Sequence, residues 1–199
     1  MSGGPVLVKL GGSLARHPAL AAWLAAVRDA PGPPGRLVVP GGGPFADAVR
    51  ALEVPLGLDA TTAHRCAVLA MQQYGLMLVA RAPGLRPVET EDEIAALARD
   101  GAAGVWLPWR LAGTTPELEP SWAVTADSIA AWLATRLRAR ALVIVKARTP
   151  PAAEVDALTA AGILDAAFPR YRRRFAGPVR VVGATPPPGP GRLSALLAP

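Results

Sequence analysis

The chain has 199 residues, 51% of them hydrophobic and 18% charged, with one cysteine and two histidines; this suffices for a buried core and excludes disulfide frameworks, cysteine-rich zinc modules and histidine-built metal sites. Its longest apolar stretches, such as residues 19–27, fall well short of the roughly 20 residues a membrane span needs, and Met1-Ser2-Gly3-Gly4-Pro5 lacks the form of a signal peptide, so a soluble cytoplasmic protein with no membrane partner is expected. The 21 Lys+Arg against 15 Asp+Glu give a net charge of +6, but the arginines are scattered and the one dense run, 170–174, is too short and isolated for a nucleic-acid module, so no nucleic-acid partner is expected.

Short apolar runs alternate with amphipathic or Ala-rich stretches. Residues 6–10 read as a buried strand ending at Gly11-Gly12, and a helix follows over 18–29 with proline in its first turn. A Pro/Gly turn at 31–35 leads to a strand at 36–39, which ends at Pro40-Gly41-Gly42-Gly43-Pro44. A helix is predicted over 45–52 and a long one over 61–79, in which Met71, Tyr74 and Leu78 are spaced for packing. Residues 86–88 form a short strand. Thr90-Glu91-Asp92-Glu93 is a capping box opening a helix that ends near Arg99, with Gly101 as a left-handed cap. A strand at 104–107 precedes a proline-bearing loop to residue 123. Thr125 is read as the cap of a helix through 137, and 142–145 as a strand with Lys146 at its end. Helical segments at 154–161 and 165–168 lead to a last strand at 179–182. This alternation predicts an α/β, three-layer α/β/α sandwich with a mainly parallel open sheet.

Two early strands end in glycine loops, Val8-Lys9-Leu10-Gly11-Gly12-Ser13 and Val39-Pro40-Gly41-Gly42-Gly43-Pro44, each leading toward a helix. Ligands of open parallel sheets bind beyond the carboxyl ends of the strands. There, glycine lets backbone amides approach phosphate oxygens and a helix N-terminus adds a favourable dipole. One such loop is weak evidence, because tight turns need glycine anyway; two are stronger. Neither is a Walker sequence or a dinucleotide fingerprint. Only Lys9 and Lys146 of the 21 basic residues are lysines. In an arginine-biased composition they stand out as positions that keep a compact point charge rather than a rigid fork.

Lys9-Leu10-Gly11-Gly12-Ser13, Gly41-Gly42-Gly43-Pro44 and Val124-Thr125-Ala126-Asp127-Ser128-Ile129 resemble the amino acid kinase superfamily, in order and approximate spacing over residues 6–146. The length, with Met71-Gln72-Gln73-Tyr74-Gly75 and 161–169, resembles its small branch of aminomethylfuran methyl phosphate kinases of methanofuran and methylofuran biosynthesis. The resemblance implies one domain over 1–184, with an acceptor lobe to about 123, a shortened nucleotide lobe from about 124, and a Pro/Gly-rich tail over 185–199. It implies ATP and Mg²⁺, a small phosphorylated acceptor converted to a diphosphate, and a homo-oligomer. Lys9 would neutralise the transferring phosphoryl group, and Asp127 would orient the essential lysines. Gly11, Gly12 and Ser13 would hold donor phosphates; Gly41, Gly42, Gly43 and Ser128 would face the acceptor. No protein metal ligand is implied.

The chain departs from the superfamily after its fifth strand. The usual Asp-Gly-Val-Tyr-like turn and later Pro-Lys-Met motif are absent, and no lysine follows Lys146. Lys146 then either binds ATP phosphate or replaces the later lysine, with Arg148 as a compensating cation. The alternative reading is a non-catalytic nucleotide-binding, storage or regulatory subunit on the same fold. The tryptophans read mostly as core, with Trp106, Trp109 and Trp122 as an alternative wall for a flat acceptor ring. His64 and Arg65 read as solvated or as acceptor contacts, and Cys66 as a small buried apolar side chain.

Overall fold

The computed structural model describes residues 4–30, 35–185 and 189. Most of the predicted tail and of the turn after the first helix lies outside these. Six strands form one sheet: β1 Val6–Leu10, β2 Arg36–Pro40, β3 Arg86–Val88, β4 Ala103–Trp106, β5 Ala141–Lys146 and β6 Val179–Gly183. Their order is β3-β4-β2-β1-β5-β6 and every pairing is parallel. β1, flanked by β2 and β5, is buried at all its positions, the continuous apolar pattern of a strand covered on both faces.

The helices are α1 Leu20–Asp29, α2 Gly43–Glu53, α3 Ala60–Arg81, α4 Glu91–Asp100, α5 Trp109–Ala112, α6 Ala126–Arg136, α7 Val155–Ala160 and α8 Phe168–Arg172. Alternation along the strands divides the core. Val8, Leu10, Val143 and Val145 face α1 and the Tyr74–Leu78 turn of α3. Leu7, Leu142 and Ile144 face the other way, toward α4, α6 and α8. Lys9 and Lys146 share this second parity, which aims both lysines toward α6. The capping box at α4 and the left-handed Gly101, at φ 62°, are present as read. Met71, Tyr74 and Leu78 are buried.

Three local readings are corrected. The loop over 108–123 contains α5, a single turn started by Pro108. Thr125 does not cap α6 with its side chain; its hydroxyl donates to Asp165 instead. Trp106 is fully buried and so walls no ligand pocket.

Beyond β5 the described chain consists of two short helices and one strand. That half is fastened to α1: the Trp23 indole N–H donates to the Ala184 carbonyl at 2.8 Å, and the Ala184 N–H donates to the Lys146 carbonyl at 2.8 Å. Among the described residues no helix is long and apolar enough to cross a membrane.

Candidate active site

The chain leaves β1 for β2 on one side of the sheet and returns from β4 to β5 on the other, so the topological switch lies between β1 and β5, where parallel sheets open a crevice. Lys9 near the end of β1 and Lys146 at the end of β5 flank it. Lys9 pairs in register with Ile144, two residues before Lys146. The first turn of α6 lowers Asp127 between them. Lys9 Nζ lies 2.8 Å from Asp127 Oδ1, and Lys146 Nζ donates to Oδ2 at 2.6 Å.

Asp127 is 3% exposed and Lys9 5%. Burial works against the Asp127 carboxylate, but the two ammonium charges and their hydrogen bonds outweigh it and hold the group below the usual carboxylate range. Lys146 is pushed down, first by burial and then by the charge of Lys9, with Asp127 opposing. Two ammonium groups thus converge on one carboxylate, an arrangement that suits a site for phosphate oxygens.

The glycine loops touch above this pair. A Cβ on Gly12 would come within 2.2 Å of the Gly43 nitrogen, and one on Gly41 within 2.4 Å of the Gly12 nitrogen. Only glycine permits that approach. Gly43, at φ +57°, turns the chain into α2 from the left-handed region. A cleft of about 550 Å³ opens here, lined by Lys9, Gly12, Ser13, Gly41, Gly42 and Gly43. Its outer walls come from Arg16, Asp47, Arg50, His64, Met71 and Trp122. The Arg50 guanidinium sits 4.3 Å over the Trp122 ring, whose indole N–H donates to Glu53. His64 Nε2 is buried without a hydrogen-bond partner among the described residues, and burial lowers its basicity.

Lys9, Gly12, Ser13 and the three glycines from Gly41 to Gly43 are thus brought together in one cleft. Gly11 is buried beneath it, where an added Cβ would lie 3.3 Å from Lys9 Nζ. Asp127 and Lys146 stand behind Lys9. Ser128 and Arg148 are not brought to the cleft: Ser128 is fully buried with its hydroxyl on Asp165, and Arg148 is exposed. Cys66 is partly exposed and free. Sequence reasoning missed Arg16 and Arg50. The only available signal for Arg50 was its spacing from Ala46 and Asp47 on one face of α2. It also missed Asp165, whose partners are distant in sequence.

No protein-family model matches the chain. Over 108 residues it is 26% identical to the (5-(aminomethyl)furan-3-yl)methyl phosphate kinase of Methanocaldococcus jannaschii, a stretch covering 54% of this chain and 50% of that relative. The match thus spans about half the length of that curated relative. Among solved structures, uridylate kinase from Archaeoglobus fulgidus superposes with a TM-score of 0.70 at 16% identity, covering 97% of this chain and 95% of that one. An isopentenyl phosphate kinase superposes with a TM-score of 0.55 at 13% identity, covering 96% and 95%. The sequence resemblance and the shared architecture agree: the chain is built on the amino acid kinase fold.

Proposed function

We propose that the chain catalyses ATP-dependent phosphoryl transfer to a small phosphorylated acceptor, an aminomethylfuran methyl phosphate that leaves as a diphosphate. The observation that carries this reading is the pair of lysines sharing Asp127 beneath two abutting glycine loops. The partial similarity to a phosphate kinase names the acceptor class.

In this reading an acceptor phosphate oxygen forms a bond to the γ-phosphorus of ATP as the bridging bond to ADP breaks. No new covalent bond to the protein is needed, so positioning and charge do the catalysis. Lys9 faces the cleft and takes the transferring phosphoryl oxygens. Lys146, on the neighbouring strand, supplies the second positive charge from the ATP side. Asp127 keeps both ammonium groups oriented before the ligands arrive. The amides of Gly12 and Ser13 hold donor phosphates, and Gly41, Gly42 and Gly43 face the acceptor, whose own phosphate is met by Arg16 and Arg50 near the Trp122 ring.

Mg²⁺ in this reading enters on the ATP phosphates. Asp127 is committed to the lysines, and the described residues offer no cluster of three metal-ligating side chains; a Mg²⁺ carried by substrate phosphates needs no such cage. The expectation of a homo-oligomer draws support from Leu69, Leu76 and Met77, exposed at 40%, 52% and 51% on α3.

The test is coupled ADP release with Mg²⁺, comparing no acceptor, the aminomethylfuran methyl phosphate, UMP, acetylglutamate and aspartate. Release dependent on the furan phosphate is expected. Release with another acceptor would replace the furan assignment. Saturable ATP binding without acceptor-dependent release would replace the kinase reading with a nucleotide-binding subunit.

A further inference from the structure

The first backbone N–H groups of any helix lack partners within it. At α6 those of Thr125 and Ser128 are met from far along the chain by Asp165, in the connection between α7 and α8. Asp165 Oδ2 accepts from the Thr125 N–H at 2.9 Å, the Thr125 hydroxyl at 2.8 Å and the Ser128 N–H at 2.9 Å. Its Oδ1 accepts from the Ser128 hydroxyl. All four donors belong to the two residues that bracket Ala126-Asp127. The backbone is therefore pinned on both sides of the carboxylate that holds the lysines.

We propose that Asp165 is a positioning residue for phosphoryl transfer: it fixes the first turn of α6, and through Asp127 it fixes the ammonium groups of Lys9 and Lys146. The proposal rests on the kinase reading above for its kinetic consequences, but not for its structural ones. A misplacement of about 1 Å at such a centre can cost about 10²-fold in rate, and among the described residues the Asp127 side chain bonds only the two lysines, so its place is set by its own backbone.

The groups facing this corner are Lys146 from β5, Lys9 from β1, Asp127 from α6 and Asp165 itself. Burial pushes the Asp165 carboxyl up, and the nearby Asp127 charge adds to this against the Ser128 and Thr125 hydrogen bonds. Once ionised, Asp165 favours the charged form of Lys146.

The experiment compares Asp165→Ala and Asp165→Asn with the unaltered chain. Because the chain has only two lysines, ¹³C and ¹⁵N resonances of their side-chain ends can be followed individually through a pH titration. In Asp165→Ala the Thr125 and Ser128 amides should exchange with solvent faster, and kcat should fall by about 10²-fold while KM for the acceptor stays within a factor of about two. In Asp165→Asn, which keeps one carbonyl acceptor but loses the charge, Lys146 should titrate at lower pH and kcat should fall less.

A folded variant with unchanged kcat and unmoved lysine titration overturns the proposal. Should Asp165→Ala fail to fold, Asp165→Asn decides alone. If the unaltered chain releases no ADP with any acceptor, the kinase reading falls. Asp165 is then judged on amide exchange and lysine titration, and unchanged values of both overturn it.

Discussion

Lys9 and Lys146 stand on adjacent parallel strands, two residues apart in register, and close on opposite oxygens of Asp127. Strand parity alone would aim both side chains at α6. The carboxylate in its first turn converts that shared direction into a fixed separation between two positive charges. A phosphoryl group in transit needs such an arrangement ready before it arrives, since reorienting side chains during transfer would cost rate.

Removing either charge should be felt in turnover. Lys9→Ala and Lys146→Ala are each expected to lower acceptor-dependent ADP release by about 10²-fold or more. The arginine replacements should not rescue, because a planar fork beside an almost fully buried carboxylate cannot take the place of a point charge. Wild-type-like turnover in Lys9→Ala would sink the assignment.

The pH dependence follows from the direction of the Lys146 shift. Burial and the Lys9 charge hold Lys146 below its ordinary value of 10.5, and only its protonated form neutralises phosphate. In the proposed kinase reading, activity should therefore be complete below the folded-state value and lost as pH rises through it. The alkaline limb of kcat/KM, which reports the free enzyme, should fall below pH 10.5. A limb at or above that value would contradict the role given to Lys146.

The contact between the glycine loops gives a structural prediction. A methyl group on Gly12 or Gly41 meets backbone of the opposite loop, not a flexible side chain, so the loops must part. Gly12→Ala and Gly41→Ala should each cost about 1–3 kcal/mol of stability in denaturant titration. Both should also reduce turnover at saturating acceptor. A variant that loses neither would mean that the loops move apart freely.

Arg50 lies over Trp122 on the wall of the cleft, and its side chain is 55% exposed. A hydrogen bond to a charged group contributes roughly 1.5–3 kcal/mol, so Arg50→Ala should raise KM for a phosphorylated acceptor about tenfold or more. The value of kcat should change little. The unphosphorylated alcohol corresponding to the acceptor should bind equally to both forms, which separates phosphate recognition from general damage.

The strands and glycine loops were legible because their signals are local: short apolar runs, several of them bounded by glycine or proline. Fold class followed from their alternation with helices. The two lysines were legible against an arginine-rich background. The resemblance assigns Ser128 to the acceptor beside Asp127, but consecutive helical residues point about 100° apart, and the serine turns into the core toward Asp165. Thr125 looked like a cap for want of any view of that carboxylate, which lies 40 positions away. Arg16 and Arg50 carried no motif; the fold brings both to the wall of one cleft.

The link from Trp23 through Ala184 to the Lys146 carbonyl sets a limit on trimming. Residue 184 follows the last strand and would pass for dispensable edge, yet its amide steadies the backbone that carries Lys146 and its carbonyl is gripped by a helix near the other terminus. Loss of Ala184 should therefore disturb Lys146 before the rest of the sheet unravels.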